Sequence, residues 1–583
     1  MKYQGVYRTN VLEDITTYIL HKRGTKDVYH YLNTTDDDIN SYESLGGQPL
    51  MQALTHIAVA VNNNHNCLVV VDSDCDGFTS AALLINYLHD LFPAWVENKV
   101  DWFIHEGKQH GLSDCIDVAM NYDIVICPDS ASNDYEQHKQ LRDAGKSCIV
   151  LDHHEADYIS ENAIIINNQL SSYPNKEFSG VGIVWQFCRY MDDKMGNNLA
   201  DNYLDLVALG NCADMMSLTS IETKHLMNKG FNQLKNPFIY GMAKKNAYSL
   251  GGTVTPIGAA FYIAPFVNAM TRSGTQDEKK LLFKSMLKHC AFEEILSNKR
   301  GHKLGEMEKL VDQALRCVTN VKNRQTKAQE KGLEALEARI EENNMLKDKA
   351  LIFFIEEDEK NLIDSNIRGL VANKLMAKYQ RPCAILTKHF DGDDWEYAGS
   401  ARGYTKSGIN DFREICIGFD GTRYGQGHPN AFGLAIHDTR TEDFVKYLNI
   451  SLADVGTEPI YDCDIIYQGI HVEPTDLITI AEMNNLWGQD IPEPFICIEK
   501  LNIAPDMVTV YNKKGFTMKI TLPNGISIMK FNATEEECDF LKEDGYKTVN
   551  IIGKANKNEY MGNVNAQLFI EEYEVIGCGK HLF

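Results

Sequence analysis

The stretch Cys67-Leu68-Val69-Val70-Val71-Asp72-Ser73-Asp74-Cys75-Asp76-Gly77 decides how the chain is read. Five apolar residues closed by a polar turn fit a strand buried on both faces. Three aspartates on alternate positions follow at once, and carboxylates so close repel one another unless cations neutralise them. A helix is expected from about Thr79 to Leu88. An EF-hand loop also opens with alternating acids, but it needs a glutamate at its twelfth position and a helix before it. Here the twelfth position from Asp72 is Leu83, and a strand precedes. A solvated acidic turn would be the plain reading if the cluster stood alone.

It does not stand alone. Ile124-Val125-Ile126 leads to Asp129, and Cys148-Ile149-Val150-Leu151 leads to Asp152-His153-His154. Apolar strands alternating with amphipathic stretches imply a parallel sheet covered by helices, and ligand groups gather at the carboxyl ends of such strands. Asp214 lies in the otherwise apolar Leu209-Gly210-Asn211-Cys212-Ala213-Asp214-Met215, where an unpaired carboxylate would be costly. Aspartates and a histidine converging on one cleft supply oxygen and imidazole ligands suited to Mn²⁺ or Mg²⁺, and a dinuclear site is expected.

The 583 residues are 44% hydrophobic and carry a net charge of −24. At roughly 150 residues per domain this implies about three to four domains and excludes a largely disordered chain. No apolar run approaches the ~18 residues of a membrane span, and the start shows no signal core, so a cytoplasmic protein is expected. Fifteen cysteines without a Cys-x-x-Cys pair exclude a zinc ribbon and argue for reduced thiols. The acidic balance argues only weakly against nucleic acid, because a binding path needs only a local basic patch.

Expected domains are residues 1–300, a connecting helix over 301–348, a second α/β domain over 349–450, and a mainly β barrel over 451–583. The connecting helix, rich in Glu, Lys, Gln and Ala, is expected to be exposed. Asn524-Gly525 marks a hairpin in the β region, where Tyr511, Phe516 and Lys519 are candidates for base stacking and backbone contact.

Asp72–Gly77, Asp129, Asp152-His153-His154 and Asp214 resemble, in order, the motifs of the DHH phosphoesterase superfamily, and the likeness extends to its RecJ-type single-strand exonucleases. Gly107-Lys108-Gln109-His110-Gly111-Leu112-Ser113 is similar to that family's glycine loop, and Ser179-Gly180-Val181-Gly182 to its Gly-x-Gly helix start. Ile263 to Arg272, Gly399 to Gly403, Gly427 to Gly433 and Trp487 to Pro494 match further segments. Val70, Phe266 and Gln426 depart from the pattern, standing where a His or Asn ligand, an arginine and a glycine are usual.

The resemblance implies an α/β fold with a parallel-sheet DHH domain, a long connecting helix, a DHH-associated domain and an OB-like domain. It implies two ions held by Asp74 and Asp129, and by Asp76, Asp129, His153 and Asp214, with Asp72 as a further ligand. Asp152 would orient His153, and His154 would bind the scissile phosphate. Arg272, Ser400, Arg402 and His428 would hold substrate phosphates in a cleft between the two α/β domains, and Asn268 would either contact phosphate or cap a helix. The implied activity is 5′→3′ hydrolysis of single-stranded DNA to mononucleotides in repair or recombination. A monomer is implied, working with a single-strand-binding protein or helicase in a bacterium or phage. A small-molecule or oligonucleotide phosphodiesterase or pyrophosphatase, and a non-catalytic replication scaffold, are the alternatives.

Overall fold

The structure is a computed structural model that describes residues 1–107, 109–456, 459–513, 515–560 and 562–579. Lys108 of the glycine loop lies outside them. The chain divides into two compact units. One holds Thr25–Gln325 with Asn484–Pro492, the other Met1–Gly24, Thr326–Met483 and the chain from Glu493 onward.

The first unit is built on a five-stranded parallel sheet in the order Val100–Ile104, Cys67–Val71, Ile124–Pro128, Ser147–Asp152, Ile164–Asn167. Alternation along the strands feeds two cores. Cys67, Val69 and Val71 join one with Ile126 and Leu151, while Leu68 and Val70 join the other with Val125 and Leu112. Val70 is therefore apolar packing and supplies no ligand. The strand order reverses between Cys67–Val71 and Ile124–Pro128, and the crevice beyond the carboxyl ends at such a reversal is where open α/β sheets bind ligands. Asp72 and Asp129 stand at that point.

The helix after the first strand runs over Cys75–Leu91, four residues earlier than its apolar pattern suggests. Asp74 caps it, its Oδ1 accepting from Gly77 N at 3.0 Å, so the acidic cluster is itself the helix start. Gly77 is required there because a Cβ would collide with Asp72. From Cys75 to Leu88 this helix is buried on all sides.

The second unit holds two sheets. A five-stranded mixed sheet runs Thr422–His428, Ala431–His437, Trp395–Arg402, Cys383–Phe390, Leu351–Ile355. An eight-stranded sheet carries the expected hairpin, Phe516–Thr521 pairing with Ser527–Ala533 across Gly525 at φ 87°. It also takes in Lys2–Tyr7, parallel to Ile460–Gln468. That strand had been grouped by sequence with the first 300 residues, and local pattern cannot announce a partner so distant. Conversely, Trp487–Pro492, which resembled the approach to the OB region, packs in the first unit, where Gln489 O accepts from Leu218 N at 3.1 Å.

The connecting helix is Leu310–Glu342. It is not the exposed rod expected: Ala314, Val318, Val321, Gln325, Gln329, Gly332, Leu336 and Ile340 are buried along one stripe. Gln325 and Gln329 interrupt the apolar pattern and hide that stripe from a hydropathy reading.

Candidate metal and phosphate site

Asp129 takes φ 64°, and Ala131, two residues on, takes φ 78°. Aspartate tolerates the left-handed region better than most residues, and strain of this kind gathers at functional turns. The turn aims the Asp129 carboxylate at His153, whose Nε2 lies 3.3 Å from Asp129 Oδ1, 3.4 Å from Asp214 Oδ2 and 3.9 Å from Asp76 Oδ2. Possible ligand atoms fall into three groups, each within 4.8 Å: Asp72, Asp74 and Asp129; Asp76, His153 and Asp214; Asp129, His153 and His154. All six predicted ligands thus converge.

Helix starts shape the floor. Gly180 N and Val181 N donate to Asp76 at 2.7 and 3.3 Å, and Ser179 Oγ at 3.1 Å. A Cβ at Gly180 would collide with Asp129 Oδ1, and one at Gly210 with Asp76 Oδ1. Asn268 Oδ1 accepts from Cys75 N at 3.1 Å, so its amide positions the helix that presents Asp76. Arg272 lines a small cavity of about 100 Å³ with Asp74, Asp76, Asp214 and Asn268.

The electrostatics are those of a cation site. Burial and the Asp74 charge push Asp76 up to about 7, burial and Asp76 push Asp214 up to about 8, and burial with Asp76 raises Asp129 far above the carboxylate range. Asp72, Asp76 and Asp129 are each 1% exposed. Asp72 Oδ1, Asp129 Oδ1 and His153 Nε2 are buried without a hydrogen-bond partner among the described residues. Buried polar atoms are normally partnered, so this set fits divalent ions with hard oxygen and imidazole ligands.

The two histidines differ. Burial, then the charge of His154, lowers His153 to about 4, leaving a neutral imidazole fit to ligate. Burial opposes charging His154 as well, but Asp152 outweighs it and pushes His154 up to about 9. Asp152 was expected behind the His153 ring. Instead its Oδ1 accepts from His154 Nδ1 at 2.8 Å and meets His153 only through that residue's backbone N, at 2.7 Å. Its Oδ2 accepts from Ser132 N at 3.1 Å; burial opposes the charged form, but the hydrogen bond and charge of His154 outweigh it and hold the Asp152 carboxyl well below the usual carboxylate range.

Sequence reading assigned no role to His110, whose Nδ1 lies 2.7 Å from Asp72 Oδ2. Nor did it mark the buried Lys279, whose Nζ donates to His105 O at 2.9 Å and Glu106 O at 2.6 Å, at the root of the glycine loop. The motif containing His110 was visible, but nothing in it specified the partner. In the second unit Ser400 and Arg402 lie on Trp395–Arg402, with Arg402 Nη1 donating to Ala401 O at 2.7 Å, and His428 is exposed at the end of Thr422–His428.

The raised carboxyls fix a dependence on pH. Asp76 and Asp214 hold protons more tightly folded than unfolded, where carboxyls titrate near ~4. Between about pH 4 and 8 the folded chain therefore binds more protons, and stability without metal falls as pH rises through that window. Thermal melts in EDTA are expected to show a lower Tm at pH 8.5 than at pH 6, with Mn²⁺ raising Tm more at pH 8.5. Equal Mn²⁺ shifts at both pH values would contradict the assignment.

A parallel sheet whose strand ends gather aspartates around a histidine pair defines a phosphoesterase core of the DHH class. Residues 66–211 match the DHH family, N-terminal domain, and residues 462–572 match the RecJ OB domain. The prophage-derived YorK of Bacillus subtilis, provisionally named a single-strand DNA-specific exonuclease, is 31% identical over 99% of this chain and 98% of its own length. The single-stranded-DNA-specific exonuclease RecJ of Bacillus subtilis is 24% identical over 96% of this chain and 67% of its own. The crystal structure of Thermus thermophilus RecJ in complex with Mn²⁺ shares the fold, with a TM-score of 0.69 at 18% identity over 96% of this chain and 75% of that one. The chain belongs to this family of YorK and RecJ exonucleases. Among the described residues no helix is long and apolar enough to cross a membrane.

Proposed function

We propose that the chain hydrolyses single-stranded DNA from its 5′ end, releasing mononucleotides, in repair or recombination. The observation that carries this is the grouping of Asp72, Asp74, Asp76, Asp129, His153 and Asp214 at the sheet's reversal point, in a chain whose relatives are named single-strand-DNA-specific exonucleases. Divalent ions held by these residues would supply an activated water and neutralise charge on the phosphate oxygens. His154, charged and steadied by Asp152, offers its imidazolium to a phosphate oxygen and favours the more negative transition state. Asn268 holds the Asp76 helix in register, and Arg272 adds positive charge beside Asp74. Ser400, Arg402 and His428 are proposed phosphate contacts of the second unit; arginine suits the role because its planar fork binds phosphate oxygens in pairs.

A monomer in the cytoplasm, acting with a single-strand-binding protein or a helicase, is the proposed setting. Fifteen free cysteines, twelve of them buried, agree with a reducing compartment. The complete acid and histidine set disfavours a non-catalytic scaffold, and the OB match disfavours a small-molecule phosphodiesterase.

The test uses one 20-nucleotide strand, labelled at either end, with Mn²⁺. A 5′ label is expected to appear at once as mononucleotide, while a 3′-labelled strand shortens progressively and a blunt duplex resists. Release beginning at the 3′ label, or a preference for dinucleotides, would overturn the reading.

A further inference from the structure

A second cavity, of about 390 Å³, lies wholly within the mixed-sheet unit. Lys360, Arg368 and Lys388 bring positive charge to its lining beside His389, against one acid, Glu357. Lys388 is committed to Asp438 at 3.5 Å and His389 to Glu396 at 3.2 Å. Lys360 and Arg368 have no salt-bridge partner among the described residues.

One further donor, Thr387, belongs to the lining. Thr387 is 6% exposed, and neither its Oγ1 nor the buried Nε of Arg368 has a hydrogen-bond partner among the described residues. Arg368 opens the Arg368–Tyr379 helix, whose start has no side-chain cap and no acid in its first turn. A helix start bearing an uncommitted arginine, in a lining shared with Lys360 and the unsatisfied buried hydroxyl of Thr387, is suited to an anion with several acceptor oxygens.

Strand register ties this cavity to the expected phosphate contacts. Thr387 pairs with Ala398, and side chains two and four residues beyond Ala398 on the same strand, Ser400 and Arg402, share its face. Gly369, next to Arg368, is so close to that face that a Cβ would collide with Arg402 Nη2.

We infer that this cavity binds a phosphate group, with Arg368, Thr387 and Lys360 as its donors, and that it extends the Ser400 and Arg402 track by one subsite along a bound single strand. The inference rests on the proposed nuclease reading. A free mononucleotide carries the same phosphate chemistry, so both sources are tested.

Binding of fluorescent dT12 is measured by anisotropy in EDTA across a salt titration, with dTMP and inorganic phosphate in parallel, for wild type, Arg368→Gln, Arg368→Lys and Thr387→Val. Arg368→Gln is expected to weaken dT12 binding about fivefold to tenfold and to flatten the salt slope by about 0.7, the value of one lost phosphate contact on a single strand. Arg368→Lys should recover most of the slope. Thr387→Val, which keeps the side-chain shape, should weaken binding about threefold and carries the test if Arg368→Gln fails to fold.

Loss confined to dT12 supports a strand phosphate, and loss confined to dTMP and inorganic phosphate supports a free nucleotide. Variants that bind every probe like wild type, with an unchanged slope, overturn the inference. Failure of the nuclease reading looks different: wild type would bind no dT12, and inorganic phosphate would still report on the cavity.

Discussion

Asp129→Asn is expected to lower release of mononucleotides from single-stranded DNA by on the order of 10³-fold or more under Mn²⁺, more than the loss of a single transition-state hydrogen-bond donor elsewhere. The reason is position: Asp129 shares ligand groups with Asp72 and Asp74 on one side and with His153 on the other. No neighbour shares both candidate groups and could replace its carboxylate. Asparagine also tolerates the left-handed backbone at φ 64°, so the substitution changes charge without adding turn strain. In EDTA the variant should melt no lower than wild type, because a buried carboxylate with an unpartnered oxygen is itself a burden on the fold. A labelled-strand assay and melts in EDTA check the two parts. Wild-type activity from the variant would remove Asp129 from the site.

His154→Gln is expected to act differently from His153→Gln. The first should cut kcat by roughly 10²–10³-fold with Mn²⁺ affinity little changed, as expected for a group that stabilises developing charge. The second should lower Mn²⁺ affinity, because His153 Nε2 faces three carboxylates. The split follows from Asp152, which braces the His154 ring and leaves the His153 ring to the aspartates. Steady-state kinetics across a Mn²⁺ titration separate the two, and equal losses of metal affinity would show that both rings ligate.

Much of this site was legible before any coordinates, because it is written as the same local sentence several times: an apolar strand, then an acid. Periodicity located the strands, and the alternate aspartates of Asp72 to Asp76 announced charge that only cations would tolerate. What stayed hidden depended on three-dimensional neighbours. The ring that Asp152 contacts is set by the turn after Ser147–Asp152, since both histidines follow within two residues and the nearer one is not the partner. Asn268 capping Cys75 and His110 meeting Asp72 join residues on separate elements. The Lys2–Tyr7 strand and the buried stripe of Leu310–Glu342 were missed for related reasons, one for want of a local partner and the other because glutamines occupy buried positions.

The closeness of Gly180 to Asp129 and of Gly210 to Asp76 bears on how natural variation in this chain should be judged. Alanine in place of a helical glycine ordinarily counts as a mild, even stabilising, change. At these two positions a single methyl group would displace carboxylate oxygens of two proposed metal ligands, with no polar or charged residue altered. A survey of variants that scores severity by chemical dissimilarity would pass over them. Here the smallest side chains mark the boundary of the reaction centre as firmly as the aspartates do.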